Sequence, residues 1–229
     1  MAYNSTFRKT DHFVEKAVGE YLDAHFYCKP PFDSFKRISN DKLQRKGMDV
    51  LVSSAPLQIT DGVVDEKCTA HYVNQNIPTF AFEISSYQEN VWREGWLFNE
   101  DSLSEYYLLL WPTANLKEEE KGKKAPRFDS DEITSLTFYL VPRIAIIKYL
   151  EDHEIDKVRA FQAEAYFRDM NIVNGSDENK KLKEKTKKRV RFYFVLTDSK
   201  QNNGLDERPF NVLLYRDVLE KLAIYKGEC

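Results

Sequence analysis

Asp49 and the triplet Asp65-Glu66-Lys67 are the residues of this chain whose types and spacing could carry a reaction. Asp49 ends the run Lys46-Gly47-Met48-Asp49, just before the apolar Val50-Leu51-Val52, and this reads as a loop feeding a strand. Asp65 and Lys67 lie within Gly62-Val63-Val64-Asp65-Glu66-Lys67-Cys68, which reads as the next strand. Side chains alternate faces along a strand, so Asp65 and Lys67 point one way and Glu66 the other. Adjacent strands of this kind can bring Asp49, Asp65 and Lys67 into one cleft. Two carboxylates and an ammonium there suit metal-assisted phosphodiester hydrolysis. The carboxylates hold the cation, and the lysine orients a water or steadies charge on the phosphorus oxygens. A polar triplet in an apolar strand is also the wrong pattern for ordinary burial, since buried carboxylates need partners. The competing reading is structural: Asp49 caps a turn after Gly47, and the triplet is a solvated edge whose ion pairs contribute little.

These residues resemble the motif of the PD-(D/E)XK nuclease superfamily, the restriction-endonuclease-like fold. That motif is an aspartate at a strand start, a variable gap, then Asp or Glu, any residue and Lys on the following strand. Met48 stands where the family often has proline. The resemblance covers roughly residues 10 to 112. It implies an α/β (α+β) fold with a mixed central sheet flanked by helices, and Mg2+ or Mn2+ as cofactor. It implies Asp49 and Asp65 as metal ligands and Lys67 beside the attacking water. In that family a glutamate of the first helix often joins the metal site; Glu20 is the candidate here, with Glu15 behind it. The Glu66 side chain points away, so Glu66 would add its main-chain carbonyl. A lysine flanked by carboxylates keeps its charge at neutral pH, which favours an electrostatic role over that of a general base.

Composition narrows the alternatives. The 229 residues are enough for one sizeable domain, and 42% hydrophobic content is enough for a packed core. No stretch approaches the roughly 20 apolar residues of a membrane span, and residues 1–9 carry no apolar run of a signal peptide. Cys28, Cys68 and Cys229 are odd in number and far apart, which fits free thiols in a reducing cytoplasm. His12, His25, His71 and His153 lack ligand spacing, which argues against a zinc enzyme. The glycines are scattered singly, so there is no phosphate-cradling loop, and no Gly-x-Ser-x-Gly elbow occurs.

A net charge of −3 argues mildly against nonspecific nucleic-acid binding. Its distribution matters more. Lys180, Lys181, Lys183, Lys185, Lys187, Lys188, Arg189 and Arg191 form a basic run broken mainly by Glu184. Of these, Lys185, Lys187, Lys188, Arg189 and Arg191 are the candidates for phosphate contact. The plainer reading is a solvated loop. DNA is the expected substrate and RNA the alternative, with no membrane partner; a homodimer is compatible with the fold. A non-catalytic protein of the same fold, binding a protein or nucleic acid through its second half, is the rival function.

The elements expected to position the site follow from periodicity and breakers. Residues 11–27 predict a helix, with Phe13, Val14, Ala17, Val18, Tyr21 and Leu22 at helical spacing and Pro30-Pro31 forbidding its continuation. Residues 36–45 read as a loop or short helical turn. Strands are predicted at 48–52, 63–69, 79–84, 104–111, 133–141, 190–197 and 209–214. Glu83, in the third of these, could approach the site or pair with Lys67 or Arg93. Helices are predicted at 88–98, after Pro142, at 155–168 with Val158, Phe161, Ala165 and Tyr166 inward, and at 216–225. Asn174-Gly175 marks a turn. The chain then reads as one nuclease-like domain over 1–229. Its core lies at about 10–112, a charged loop at 113–131, and residues 132–229 form a C-terminal extension or small subdomain.

Overall fold

The computed structural model describes residues 6–88, 91–170, 177–194 and 208–229. In chain order the elements are α1 (Thr6–Leu22), β1 (Ser34–Arg37), α2 (Asp41–Gln44), β2 (Val50–Ser54), β3 (Ile59–Cys68), β4 (Thr79–Gln88), β5 (Val91–Glu94), β6 (Tyr106–Ala114), β7 (Ile133–Pro142), α3 (Arg143–Glu151), α4 (Lys157–Asp169), α5 (Asp177–Lys185), β8 (Val190–Phe194), β9 (Phe210–Tyr215), α6 (Arg216–Leu222) and β10 (Tyr225–Glu228). The fold is mixed α+β. It carries a six-stranded sheet in the order β1-β2-β3-β6-β7-β10 and a four-stranded sheet in the order β5-β4-β9-β8. Two compact units interleave along the chain: one of Asn4–Ile77, Asp101–Arg143 and Leu222–Cys229, the other chiefly of Pro78–Glu100 and Ile144–Lys221.

In the six-stranded unit, Val14, Ala17, Val18, Tyr21 and Leu22 are the buried stripe of α1, as the helical period requires. Of these, Val14, Val18, Tyr21 and Leu22 join Val50, Val52, Val64, Leu108, Leu110, Phe138 and Leu140 in one core. The α1 helix is followed by a π-type turn at Asp23–Tyr27 that buries Phe26 and Tyr27. Strands β1, β2 and β3 are antiparallel, while β6 runs parallel to β3. Tyr107, Leu108, Leu109, Leu110 and Trp111 are all buried, so both faces of β6 are covered.

The four-stranded unit buries Phe80, Phe82 and Ile84 of β4, Val190 and Phe192 of β8, and Val212 and Leu214 of β9. Phe210 meets Phe167 of α4 and Phe192 at 5.3 and 5.5 Å between ring centroids. The Asn179 side chain bonds the main chain of Phe192 through both N–H and C=O, at 2.7 and 2.9 Å, and so ties α5 to β8.

Several expectations are corrected. Residues 91–94 form β5, paired with β4 through Tyr87 opposite Trp92, and not the helix predicted at 88–98. Trp92 and Trp96 suggested a helical i, i+4 pair, but the cross-strand aromatic pairing with Tyr87 prevails. Strand β6 continues through Pro112 to Ala114. Pro112 lies past the last β3 partner, Cys68 opposite Leu110, so its missing N–H deprives no neighbour of a ladder bond. The inward face of α4 is Ala160, Ala163, Glu164 and Phe167, whereas Val158 and Tyr166 are exposed and Phe161 is half-buried. The basic run, read as a loop, forms most of helix α5 and the start of β8. Helix α6 stops at Leu222, and Tyr225–Glu228 adds β10 to the edge of β7. Strand β1, within polar sequence, was also unforeseen. The Asn174-Gly175 turn and residues 195–197 lie outside the described residues.

Candidate functional site

The site forms where β2 meets β3. Their register pairs Val50 with Val64, so the next step sets Asp49 beside Asp65. Asp49 precedes β2, and its main-chain N–H donates to Val64 O at 3.0 Å. Its carboxylate Oδ2 accepts from Glu66 N–H at 2.8 Å. A side chain thus replaces a main-chain acceptor at the point where the strands separate. Met48, which register would set against Glu66, donates to Leu43 O instead at 3.1 Å. The separation has a local cause. Gly47 has φ +76°, and a Cβ there would lie 2.0 Å from Ser104 Oγ and 2.9 Å from Asp65 Oδ2. Only glycine both adopts that backbone and lets it approach so closely.

Asp65 is 1% exposed, although it lies in mid-strand. Its Oδ1 accepts from Lys67 Nζ at 2.5 Å. Ser104 Oγ lies 3.2 Å from Asp65 Oδ2 and 3.0 Å from Gly47 O, sharing its proton between them. The Lys67 side chain remains 26% exposed. Burial draws the Lys67 ammonium towards neutrality, but Asp65 and then Asp49 more than offset this, and its pKa is raised. Burial pushes the Asp49 carboxyl up to about 8; the neighbouring Asp65 charge adds to this, while Lys67 opposes it. Burial and the Asp65 charge therefore favour the protonated form of Asp49. These electrostatic effects place the three sequence-predicted residues, Asp49, Asp65 and Lys67, in one neighbourhood.

Tyr107, Ser104 and Arg143 belong to the same neighbourhood and were missed as site residues. Tyr107 is the β6 partner of Asp65 and is fully buried. Burial raises its phenol, the Arg143 charge and hydrogen bond lower it in part, and the Asp65 and Lys67 charges also reach it. Arg143 N–H donates to Glu105 O at 2.8 Å, which starts α3 two residues beyond Val141, the β7 partner of Tyr107. Tyr107 meets Asp65, and Arg143 meets Tyr107, only through sheet register, which no local spacing encodes.

Glu66 faces the other way, as alternation predicts. Its carboxylate accepts from Tyr27 OH at 2.9 Å and from both terminal nitrogens of Arg37, at 2.9 and 3.0 Å. Arg37 also donates to Asp23 through Nε and NH2. That carboxylate is therefore committed on the α1 side. Glu20 is likewise not brought to the site. It is exposed, 3.7 Å from Lys16 and 3.3 Å from Ser130 Oγ. The reason is that α1 covers the face bearing Val64, and Asp65 points to the opposite face. Glu15 acts on Cys68, whose thiol is raised first by burial, then by Glu15 and Glu66. Glu83 lies on β4 in the four-stranded unit, where it accepts from Ser86 Oγ at 3.2 Å.

Of the basic candidates, Lys185 pairs with Glu154 at 2.5 Å and Arg189 with Asp217 at 2.9 Å. Lys187 and Lys188 are exposed in the turn between α5 and β8, at φ 50° and 66°. Arg191 is half-buried on β8, with a buried Nε that has no hydrogen-bond partner. Two of the five candidates are thus already held in ion pairs within the fold.

Among the described residues, no group of three or more His, Cys, Asp or Glu side chains is placed to hold a metal ion. Asp49 and Asp65 remain as a two-carboxylate set. All-oxygen donors suit Mg2+ or Mn2+, since Mg2+ keeps several waters and commonly takes one or two carboxylates. Among the described residues, no helix is long and apolar enough to cross a membrane. Neither a family model, nor a curated protein, nor a solved structure matches this chain.

Proposed function

We propose that this protein is a metal-dependent nuclease of the restriction-endonuclease-like kind, hydrolysing phosphodiester bonds of DNA. The observation that carries this reading is the meeting of Asp49, Asp65 and Lys67 where β2 and β3 separate, with Asp65 paired to Lys67 and Asp49 bonded to the Glu66 N–H. A helix, three antiparallel strands and a fourth strand parallel to the third support the fold assignment. Asp49, Asp65 and the Glu66 carbonyl would hold Mg2+ or Mn2+, which would supply Lewis acidity towards phosphate and water. Asp65 fixes the Lys67 ammonium by an ion pair. Lys67, kept protonated, donates a hydrogen bond to the water or to a phosphate oxygen and does not act as base. Ser104 and the Gly47 turn hold Asp65 in place.

The test is cleavage of supercoiled plasmid and of single-stranded DNA in Mg2+ or Mn2+. The wild-type chain should cut, while Asp65→Asn and Lys67→Ala should lose at least a hundredfold in rate, as expected when an electrostatic group of an active site is removed. Equal residual cutting in all three would remove the assignment, and cutting of RNA alone would change the substrate. The lack of a third carboxylate among the described residues favours a second reading, a non-catalytic protein of the same architecture. Such a protein would bind no Mn2+ through Asp49 and Asp65, and titration with Mn2+ separates the two.

A further inference from the structure

Glu66 turns its side chain away from the proposed site, yet its peptide unit touches it. The Glu66 N–H donates to Asp49 Oδ2 at 2.8 Å. On the opposite face of β3 the Glu66 carboxylate accepts from Arg37 NH1 and NH2 at 2.9 and 3.0 Å, and from Tyr27 OH at 2.9 Å. Tyr27 is buried and the Glu66 side chain is only 11% exposed, so water screens these bonds little. Arg37 is itself fixed. It donates to the two oxygens of Asp23 at 2.7 and 2.8 Å, and to Gly19 O at 3.2 Å. Helix α1 makes room for the guanidinium at Gly19, where a Cβ would lie 3.2 Å from Arg37 NH1. The next residue, Ile38, donates its main-chain N–H to Asp49 O at 2.8 Å. Arg37, Ile38, Asp49 and Glu66 therefore close a ring. The guanidinium holds the Glu66 carboxylate, the Glu66 N–H holds the Asp49 carboxylate, and the Asp49 carbonyl returns to the residue beside Arg37. Register brings the four together, since Arg37 pairs with Val50 and Val50 with Val64. We infer that Glu66 and Arg37 are positioning residues for Asp49: their clamp on one face of β3 fixes the peptide whose N–H sets the direction of the Asp49 carboxylate on the other. The inference concerns the metal-free chain, and only its consequence for a cation rests on the nuclease reading.

Amide hydrogen exchange followed by NMR, with no metal present, provides the test. The Asp49 and Glu105 amides, which donate to Val64 O and Val63 O, report strand pairing on either side of β3. Glu66→Ala should lower the protection of the amide at position 66 about tenfold relative to these two, the loss expected when one hydrogen bond comes free. Glu66→Gln keeps an acceptor for Tyr27 and Arg37 and should restore most of that protection. Tyr27→Phe, a milder change that guards against an alanine variant that does not fold, should lower it by a smaller factor, again at position 66 alone. In an Asp49→Ala background, Glu66→Ala should cause no further loss, because the two residues act through one bond. A clamp that only adds stability would lower all three amides together. That result, or unchanged protection at position 66, overturns the inference. Titration with Mn2+ separates it from the nuclease reading. Glu66→Ala should weaken Mn2+ binding several-fold, and equal affinity in the two chains would overturn the inference. A wild-type chain that binds no Mn2+ but shows the local loss at position 66 in the alanine variant removes the nuclease reading and leaves the inference standing.

Discussion

Asp49 is an acid whose proton reports on its surroundings. Burial, and then Asp65, lift its pKa from the ordinary 3.8 to about 8. The folded state thus holds the proton more tightly than the unfolded chain does. Stability gained this way is complete below about pH 4 and is lost as pH rises through about pH 8. The melting temperature of the wild-type chain should therefore fall across this window. Asp49→Asn should flatten that part of the profile and be the more stable protein near pH 9. Parallel profiles for the two would mean that Asp49 titrates as an ordinary carboxylate. On the proposed nuclease reading the same proton would link to the metal, because a cation needs the carboxylate form. Mg2+ binding at pH 7 should then release a proton, and almost none well above pH 8. Calorimetry in two buffers of different ionisation enthalpy measures that number directly.

The local elements decide whether these residues can meet at all. The turn at Gly47 is the tightest point, because φ +76° and the contacts with Ser104 and Asp65 both exclude a Cβ. Gly47→Ala should destabilise the fold by about 1–3 kcal/mol and, on the proposed nuclease reading, should reduce DNA cleavage more than stability, since any relief must displace Asp65 or Ser104. Urea melts beside cleavage rates check this, and a variant with unchanged melt and rate would show that the turn is not tight. Much of this geometry was legible in the sequence. An aspartate after a glycine-bearing loop and a carboxylate and lysine two apart in an apolar strand announce a shared face, because alternation is a local rule. Glu66 was placed on the far side by the same rule, and Arg37 and Tyr27 meet it there. What escaped was set by pairing between distant segments. Ser104 and Tyr107 come to Asp65, and Arg143 to Tyr107, only through the β3-β6-β7 register. Strands β1 and β10 were hidden because edge strands carry few apolar residues. The inward face of α4 was misread because its buried stripe is largely small or polar, Ala160, Ala163 and Glu164, while Val158 and Tyr166 face outward. Glu20 was assigned by likeness to a family whose first helix reaches the metal, and here α1 lies on the opposite face of the sheet from Asp65.

At the scale of the molecule, the chain crosses between its two compact units at residues 77–78, 100–101, 143–144 and 221–222. No single cut therefore releases either unit whole. The first unit is completed only by the last residues of the chain, in β10. Leu136 and Cys229 exchange main-chain hydrogen bonds of 2.8 and 3.0 Å, and Tyr225 pairs with Leu140. The Tyr225 ring lies 5.0 Å from Phe138 and 6.0 Å from both Phe26 and Phe32, so β10 also closes an aromatic cluster beneath α1 and its π-type turn. Removing β10 would take a large aromatic side chain from that cluster and leave β7 as an unprotected edge, the kind of surface that pairs with other chains. Deletion of residues 223–229 should lower the urea midpoint of the six-stranded unit by an amount corresponding to roughly 3–5 kcal/mol, comparable to truncating a large buried aromatic. Light scattering should rise at concentrations where the intact chain stays clear. Tyr225→Ala keeps the main-chain pairing, so it should lose part of the stability without the aggregation. A deletion variant as stable and as clear as the intact chain would mean that β7 needs no cover and that the site-bearing sheet is complete without β10.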